Sequence, residues 1–291
     1  MNDESFNKVF IGSGLIAEIF LHALINHKGE SPNDFYILGK NVERCERLRK
    51  KYQIRATTNF NAFVSKAKVI VLAVDVSDLD DIPAMVAAIV DKVPPNALIN
   101  SVTPHLKIEQ IEKYFPNHPV MRLSINFSAI NGNSIGSYCC GSVDVENTAS
   151  VARFLIECFG ELMPVADEEE FEKVHDIIFA QNCSHYLAIN SFIKSAVKIG
   201  LTPQQARKIA VSTYSGAADT FSEKSKDDIL IRMFDFKNIF DEGFKLMKQF
   251  GMTDAFNRSK ESAEDAQTKT EQARNAERAE KAKYRFRYKG W

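Results

Sequence analysis

The residues best suited to chemistry come early in the chain, where Gly12-Ser13-Gly14 is followed by Leu15-Ile16-Ala17. The run fits G-x-G-x-x-G/A, a spacing that serves a diphosphate. The first glycine permits a tight turn, the second lets the backbone approach a pyrophosphate, and the small last residue lets helix and strand pack closely. The backbone N–H groups of Ser13, Gly14, Leu15 and Ile16 would then face the anion. The bland alternative is a plain glycine turn in a sheet. A second set, Gly39-Lys40-Asn41 with Arg44, stands where a site specific for NAD carries an acidic residue for the ribose hydroxyls. A cation there favours a 2′-phosphate and hence NADP, with NAD the second choice because Lys40 is also an ordinary loop lysine.

The glycine run has this meaning only between a strand and a helix. Val9-Phe10-Ile11 precedes it as a short apolar run, and Leu15 to Asn26 carries helical apolar spacing. Further strands are expected at Phe35–Leu38, Val69–Val74, Ala97–Val102 and Val120–Leu123. Helices are expected at Val42–Tyr52, Ile82–Val90 and Ile108–Phe115. This alternation predicts α/β architecture: a Rossmann-type doubly wound sheet, with Ser137–Cys140 and Leu162–Val165 as edge strands around a helix at Val151–Phe159. After Asp167 the signal is helical only, over Phe171–Ile199, Pro203–Phe221 and Ile229–Phe250. The expected organisation is a dinucleotide-binding domain over 1–166, a helical domain over 167–250 and a polar helical or disordered tail over 251–291.

The 291 residues are 45% hydrophobic, enough to fill a core, and their formal net charge of −1 provides no global field toward nucleic acid or an anionic membrane. The 5 cysteines suit neither a disulfide framework nor C-x-x-C zinc spacing, so a reducing cytoplasm is expected and no metal is assigned. Neither a signal peptide nor a membrane span is expected.

With these motifs in place, the sequence resembles the pyrroline-5-carboxylate reductase family over about residues 8–250. Thr58-Asn59-Phe60-Asn61-Ala62 is similar to the family's T-x-D-N-x-E-A, which implies that Asn59 lies near the adenosine side of the cofactor. Ala73-Val74-Asp75-Val76 stands for its A-V-K-P, and Ser101-Val102-Thr103 for its S-I-A-A-G, which brings Ala73, Val74, Asp75 and Thr103 to the cofactor. Met121-Arg122-Leu123-Ser124-Ile125-Asn126 keeps the Arg and Asn of its R-V-M-P-N but not the proline. Ala196 to Thr202 and Gly216-Ala217-Ala218 are similar to its A-V-K-x-G-L and G-A-A. The resemblance implies reduction of a cyclic imine such as 1-pyrroline-5-carboxylate to proline, and a homodimer formed through the helical domain.

Two motifs depart from the family. Its T-A-L-S-G-S-G-P-A-Y helix entrance is Ile177 to Tyr186 here and keeps only the tyrosine. Its S-P-G-G-T-T loop, which holds the substrate carboxylate, gives way to Arg232–Asn238, with neither glycine nor threonine. By position, Asn182, Ser184 and Tyr186 are the catalytic candidates beside His185, and Lys237 or Arg232 the substitute carboxylate partners. A lone helical histidine is read as structural. The lost loop keeps a second function open, a dinucleotide-binding sensor or scaffold without reductase activity.

Other suggestive groups have ordinary readings. Asp167-Glu168-Glu169-Glu170 belongs in the first turn of a helix, where acids complement the dipole, before it suggests a metal. Cys139-Cys140 packs as strand residues. Lys283 to Lys289 alternates basic and aromatic residues, and docking onto a partner subunit or disorder is preferred over nucleic-acid binding.

Overall fold

The computed structural model describes residues 7–74, 76–143 and 159–223, without the side chains of 76–78, 183 and 221–223. The chain divides into two units, residues 1–178 and 179–291. The expected helix at Ile229–Phe250 and the tail lie outside the described residues, as does the expected helix at Val151–Phe159 apart from its last residue.

Among the described residues, the first unit is built on eight strands: β1 Lys8–Ile11, β2 Phe35–Leu38, β3 Arg55–Thr57, β4 Val69–Leu72, β5 Leu98–Ser101, β6 Val120–Ile125, β7 Ser134–Cys140 and β8 Gly160–Pro164. Their order in the sheet is β3-β2-β1-β4-β5-β6-β7-β8. The first six run parallel, β7 runs antiparallel to β6, and β8 is parallel to β7. The first six strands thus have the doubly wound order, in which the chain reverses direction between β1 and β4.

Helices cover both faces, which is why the strands are apolar throughout. On one face, Phe10, Phe35, Val71 and Leu98 pack with Ala17, Phe20 and Leu21 of α1 (Leu15–Leu21) and Cys45 and Leu48 of α2 (Val42–Tyr52). On the other, Val9, Ile11, Leu38, Ile70, Leu72 and Ile99 pack with Ile82 and Val86 of α3 (Ile82–Ala87) and Ile111 of α4 (Ile108–Tyr114). Phe10 and Phe20 meet edge to face at 5.7 Å. Each such side chain, fully removed from water, contributes about 2 kcal/mol. α1 continues as a π-helical stretch, His22–His27, that the sequence pattern did not reveal. Glu18 of α1 receives both guanidinium nitrogens of Arg47, at 2.9 and 2.6 Å, and the ammonium of Lys51 at 2.8 Å, which fixes α1 against α2.

Three expectations need correction. β4 ends at Leu72 instead of Val74: the Ala73 N–H still donates to the Ile11 carbonyl at 2.9 Å, but that of Val74 turns to the Thr103 hydroxyl, and both residues line the pocket. α3 ends at Ala87, and a separate 3₁₀ turn follows at Val90–Lys92. β7 is not an edge strand: it lies between β6 and β8, with Ser134 and Ser137 buried, and the edge falls to β8.

α5 (Glu168–Lys198) begins in the first unit and α6 (Pro203–Glu223) lies in the second. The acidic run opens α5 as expected: Asp167 Oδ1 accepts from the N–H of Glu170, whose carboxylate accepts from the N–H of Ala166. Glu168 does more. Its Oε1 accepts from the N–H of Ile108 at 2.8 Å and from Nη1 of Arg122 at 2.8 Å, while the same nitrogen reaches Glu172 at 2.7 Å. Arg122 is 2% exposed, with its guanidinium 4.5 Å from the centre of the Phe171 ring. One turn on, His175 Nδ1 meets Ser124 Oγ at 2.7 Å, and burial holds the imidazole below its usual pKa. Cys139, opposite Arg122 on β7, is buried, and that burial pushes its thiol up to about 12, the range of an inert core cysteine.

Candidate dinucleotide site

At the end of β1 the chain turns through Gly12, whose N–H donates to the Leu38 carbonyl at 2.8 Å. Gly12 has φ +123°, and a Cβ there would stand 2.1 Å from the carbonyl oxygen of Ala73. Only glycine fits both the conformation and the space. Gly14 is different: with φ −83° and nothing within 4 Å of an added Cβ, its missing side chain opens space above the turn. Gly14 is also the N-cap of α1, and no side chain caps that end. The first-turn N–H groups, those of Leu15 and Ile16 included, belong to a helix whose positive end is available to an anion. Ala17 is fully buried against the sheet, as the close packing of α1 requires.

Around this turn lies a pocket of about 380 Å³. Its floor is Gly12, Ser13 and Gly14. One wall follows β2, with Leu38, Gly39, Lys40, Asn41 and Arg44, and the other is Ala73, Val74 and Met85 of α3, with Phe60 completing the lining. The structure therefore brings Gly12, Ser13, Gly14, Lys40, Asn41, Ala73 and Val74, read separately along the sequence, to one cavity.

The remaining cofactor candidates support it or flank it. Thr103, 2% exposed, stands behind the rim: its Oγ1 accepts from the N–H of Val74 at 3.0 Å and has the carbonyls of Leu72 and Val74 in reach at 3.0 and 3.2 Å. Asn59 sits in the turn beyond β3, accepting from the N–H of Asn61 at 3.0 Å, while its neighbour Phe60 lines the pocket. Leu15 is exposed and Ile16 partly buried on the first turn of α1. Asp75 lies outside the described residues.

The cationic wall is organised by α2. Asn41 caps that helix, its Oδ1 accepting from the N–H of Arg44 at 2.8 Å. Lys40 reaches across to Asp81, the residue before α3, with Nζ 2.6 Å from Oδ2. Arg44 also lines the pocket, and its guanidinium has no ion pair among the described residues. Sequence reasoning missed Phe60, Met85 and Asp81. The first two carry no chemistry-bearing group, and Asp81 is 41 positions from its partner.

Asn182, Ser184 and Tyr186 all lie on α5 in the second unit. Four residues apart, Asn182 and Tyr186 share a helix face, and Ser184 projects from nearly the opposite one. Ser184 Oγ donates to the Ala180 carbonyl at 2.9 Å, and Tyr186 is half-exposed. Arg232 and Lys237 lie outside the described residues.

This arrangement, two glycines at a β1 turn, an uncapped helix start and cations beyond β2, can receive a diphosphate and, beside it, a phosphorylated ribose. Residues 8–102 match the family model described as NADP oxidoreductase coenzyme F420-dependent. Pyrroline-5-carboxylate reductase 2 of Bacillus subtilis is 27% identical over 228 residues, which cover 77% of this chain and 79% of that one. The pyrroline-5-carboxylate reductase of Synechocystis is 24% identical over 222 residues. Over about three quarters of its length the chain is thus similar, at low identity, to the pyrroline-5-carboxylate reductases.

Solved structures from the pyrroline-5-carboxylate reductases bear out the fold. That of Coxiella burnetii superposes with a TM-score of 0.73 at 18% identity, covering 91% of this chain and 98% of the other. The Plasmodium falciparum enzyme, solved with NADP bound, superposes at 0.68 and 16% identity, covering 88% and 98%. The family model ends at residue 102, whereas the 228 aligned residues of the Bacillus relative carry the family likeness well beyond it.

Proposed function

We propose that this chain is an NADP(H)-dependent reductase acting on a small cyclic imine, with 1-pyrroline-5-carboxylate, the compound in its relatives' names, as the first candidate and proline as its product. The observation that carries the reading is the Gly12–Gly14 turn opening into a pocket walled by Lys40, Asn41 and Arg44. A bound nicotinamide would supply the hydride. The protein's part is to hold the nucleotide through the amides of Ser13, Gly14, Leu15 and Ile16, to favour its 2′-phosphate with Lys40 and Arg44, and to orient and protonate the imine. Asn182, Ser184 and Tyr186 are the candidates for the last task. Among them Tyr186, half-exposed, has a hydroxyl able to deliver a proton, whereas the Ser184 hydroxyl is spent on the Ala180 carbonyl.

The working form proposed is a cytoplasmic homodimer joined through the helical region. Its support is the exposed apolar surface of α5 and α6, where Tyr186, Leu187, Phe192, Ile209 and Val211 are all more than half in water. Light scattering should give twice the 32.8 kDa of one chain. No helix among the described residues is long and apolar enough to cross a membrane. The sensor reading gains nothing from relatives that all carry enzyme names.

The test is oxidation of NADPH by the purified chain with 1-pyrroline-5-carboxylate, followed at 340 nm with proline measured as product. Turnover that saturates in both reactants supports the proposal. Saturable NADPH binding without oxidation across a panel of cyclic imines would remove the enzymatic reading, and absence of any binding would remove the site itself.

A further inference from the structure

Lys40 lies two residues beyond β2, and Asp81 precedes α3, which follows β4. β2 and β4 flank β1 in the sheet, and Lys40 and Met85 of α3 line opposite walls of one pocket. The 2.6 Å ion pair between Lys40 and Asp81 therefore ties the two walls of the nucleotide groove together on the side that holds Asn41 and Arg44. Asp81 makes no side-chain capping hydrogen bond to α3, which it precedes. Both partners are half-exposed, at 51% and 55%, so the pair is weak and can be exchanged for a better one.

Resting on the NADP(H) reading above, we infer that Asp81 is a specificity-determining residue: it occupies Lys40 and so sets how strongly the pocket prefers a 2′-phosphorylated nucleotide. A phosphate monoester carries close to two charges and three acceptor oxygens at neutral pH, and it outcompetes a single carboxylate for an ammonium. The 2′-hydroxyl of NAD carries no charge and cannot displace Asp81. The carboxylate opposes the phosphate twice, by holding Lys40 and by adding a negative charge beside the incoming dianion. It opposes NAD in neither way. Asp81 thus lowers a preference that Lys40 and Arg44 would otherwise make steeper.

The experiment is titration of the full chain with NADPH and with NADH, as wild type, Asp81→Asn, Lys40→Met and the double variant. Asp81→Asn should tighten NADPH by roughly three- to tenfold, a range set by the modest strength of exposed ion pairs. NADH should stay within about twofold, which also reports that the variant is folded, and the gain should vanish in the Lys40→Met background. If wild type binds NADPH and Asp81→Asn leaves it unchanged or weakens it, the inference fails while the pocket assignment stands. Tightening of both nucleotides alike, or tightening that persists without Lys40, also overturns it. If wild type binds neither nucleotide, the pocket assignment fails and the inference with it.

Discussion

Gly12 passes so close to Ala73 that the end of β1 and the end of β4 leave no room for a methyl group between them: a Cβ on this glycine would stand 2.1 Å from the Ala73 oxygen. Gly14, two residues on, meets nothing within 4 Å. The two glycines of one motif therefore fail in different ways. Gly12→Ala should destabilise the fold by about 3 kcal/mol or more, combining a backbone clash with a strained φ. Gly14→Ala should melt within about 2 °C of wild type and bind NADPH at least about tenfold more weakly, because its methyl group enters the space meant for the diphosphate. Thermal unfolding beside nucleotide titration separates the two outcomes.

Thr103 holds the pocket rim without lining the pocket, because its hydroxyl satisfies the N–H of Val74. Thr103→Val keeps the shape and removes the hydroxyl, leaving that buried donor unpaired at a cost of about 1–3 kcal/mol. Thr103→Ser should recover most of it. Urea unfolding of the pair would measure the difference, and equal stability of the Val and Ser variants would contradict the assignment.

Glu18 joins α1 to α2 through Arg47 and Lys51, and the Arg47 hydrogen bonds draw its pKa from 4.5 down to about 2. A carboxyl group with a lowered value in the fold stabilises fully above its ordinary value, and that contribution drains away as pH falls from 4.5 toward about 2. With both basic partners half-exposed, Glu18→Gln should cost about 1 kcal/mol at pH 7. The gap between variant and wild type should narrow between pH 4.5 and 2, and stability curves in which it widens there would refute the linkage.

Arg122 neutralises Glu168 and Glu172 from a buried position on β6. Arg122→Ala would strand two carboxylates over an empty space and should cost about 3 kcal/mol. Arg122→Met, which fills the space without the charge, should also be destabilised, and Arg122→Met with Glu168→Gln and Glu172→Gln should recover part of the loss. Chemical denaturation across the series tests this, and no recovery in the triple variant would show that packing alone accounts for the arginine.

Much of this fold is legible because strands covered on both faces must be apolar throughout: Val69 to Leu72 could hardly be anything else, and the glycine turn after Val9-Phe10-Ile11 located the pocket floor. β3 escaped notice because three residues beginning with exposed Arg55 carry no periodicity. The Ser137–Cys140 segment reads as an edge strand, yet it belongs to a longer β7 that starts at Ser134 and lies inside the sheet, with Ser134 and Ser137 both buried. The widening of α1 into a π-helical stretch at His22–His27 leaves no mark on residue spacing. In the site, Lys40 and Asn41 could be read because they follow a recognisable strand. Asp81 and Glu168 could not, since their partners lie 41 and 46 positions away and single acids give no sign of where they will reach.

The crowding of Gly39 limits how cofactor preference can be re-engineered. A Cβ on that residue would come within 2.6 Å of Ser13 Oγ and 2.9 Å of Cys45 Sγ. The acidic grip on a ribose that many NAD enzymes place at the close of the second strand therefore has no berth at 39 unless Ser13 and Cys45 are first made smaller. A switch toward NAD is more easily drawn from positions 40 and 41, where the chain faces open water.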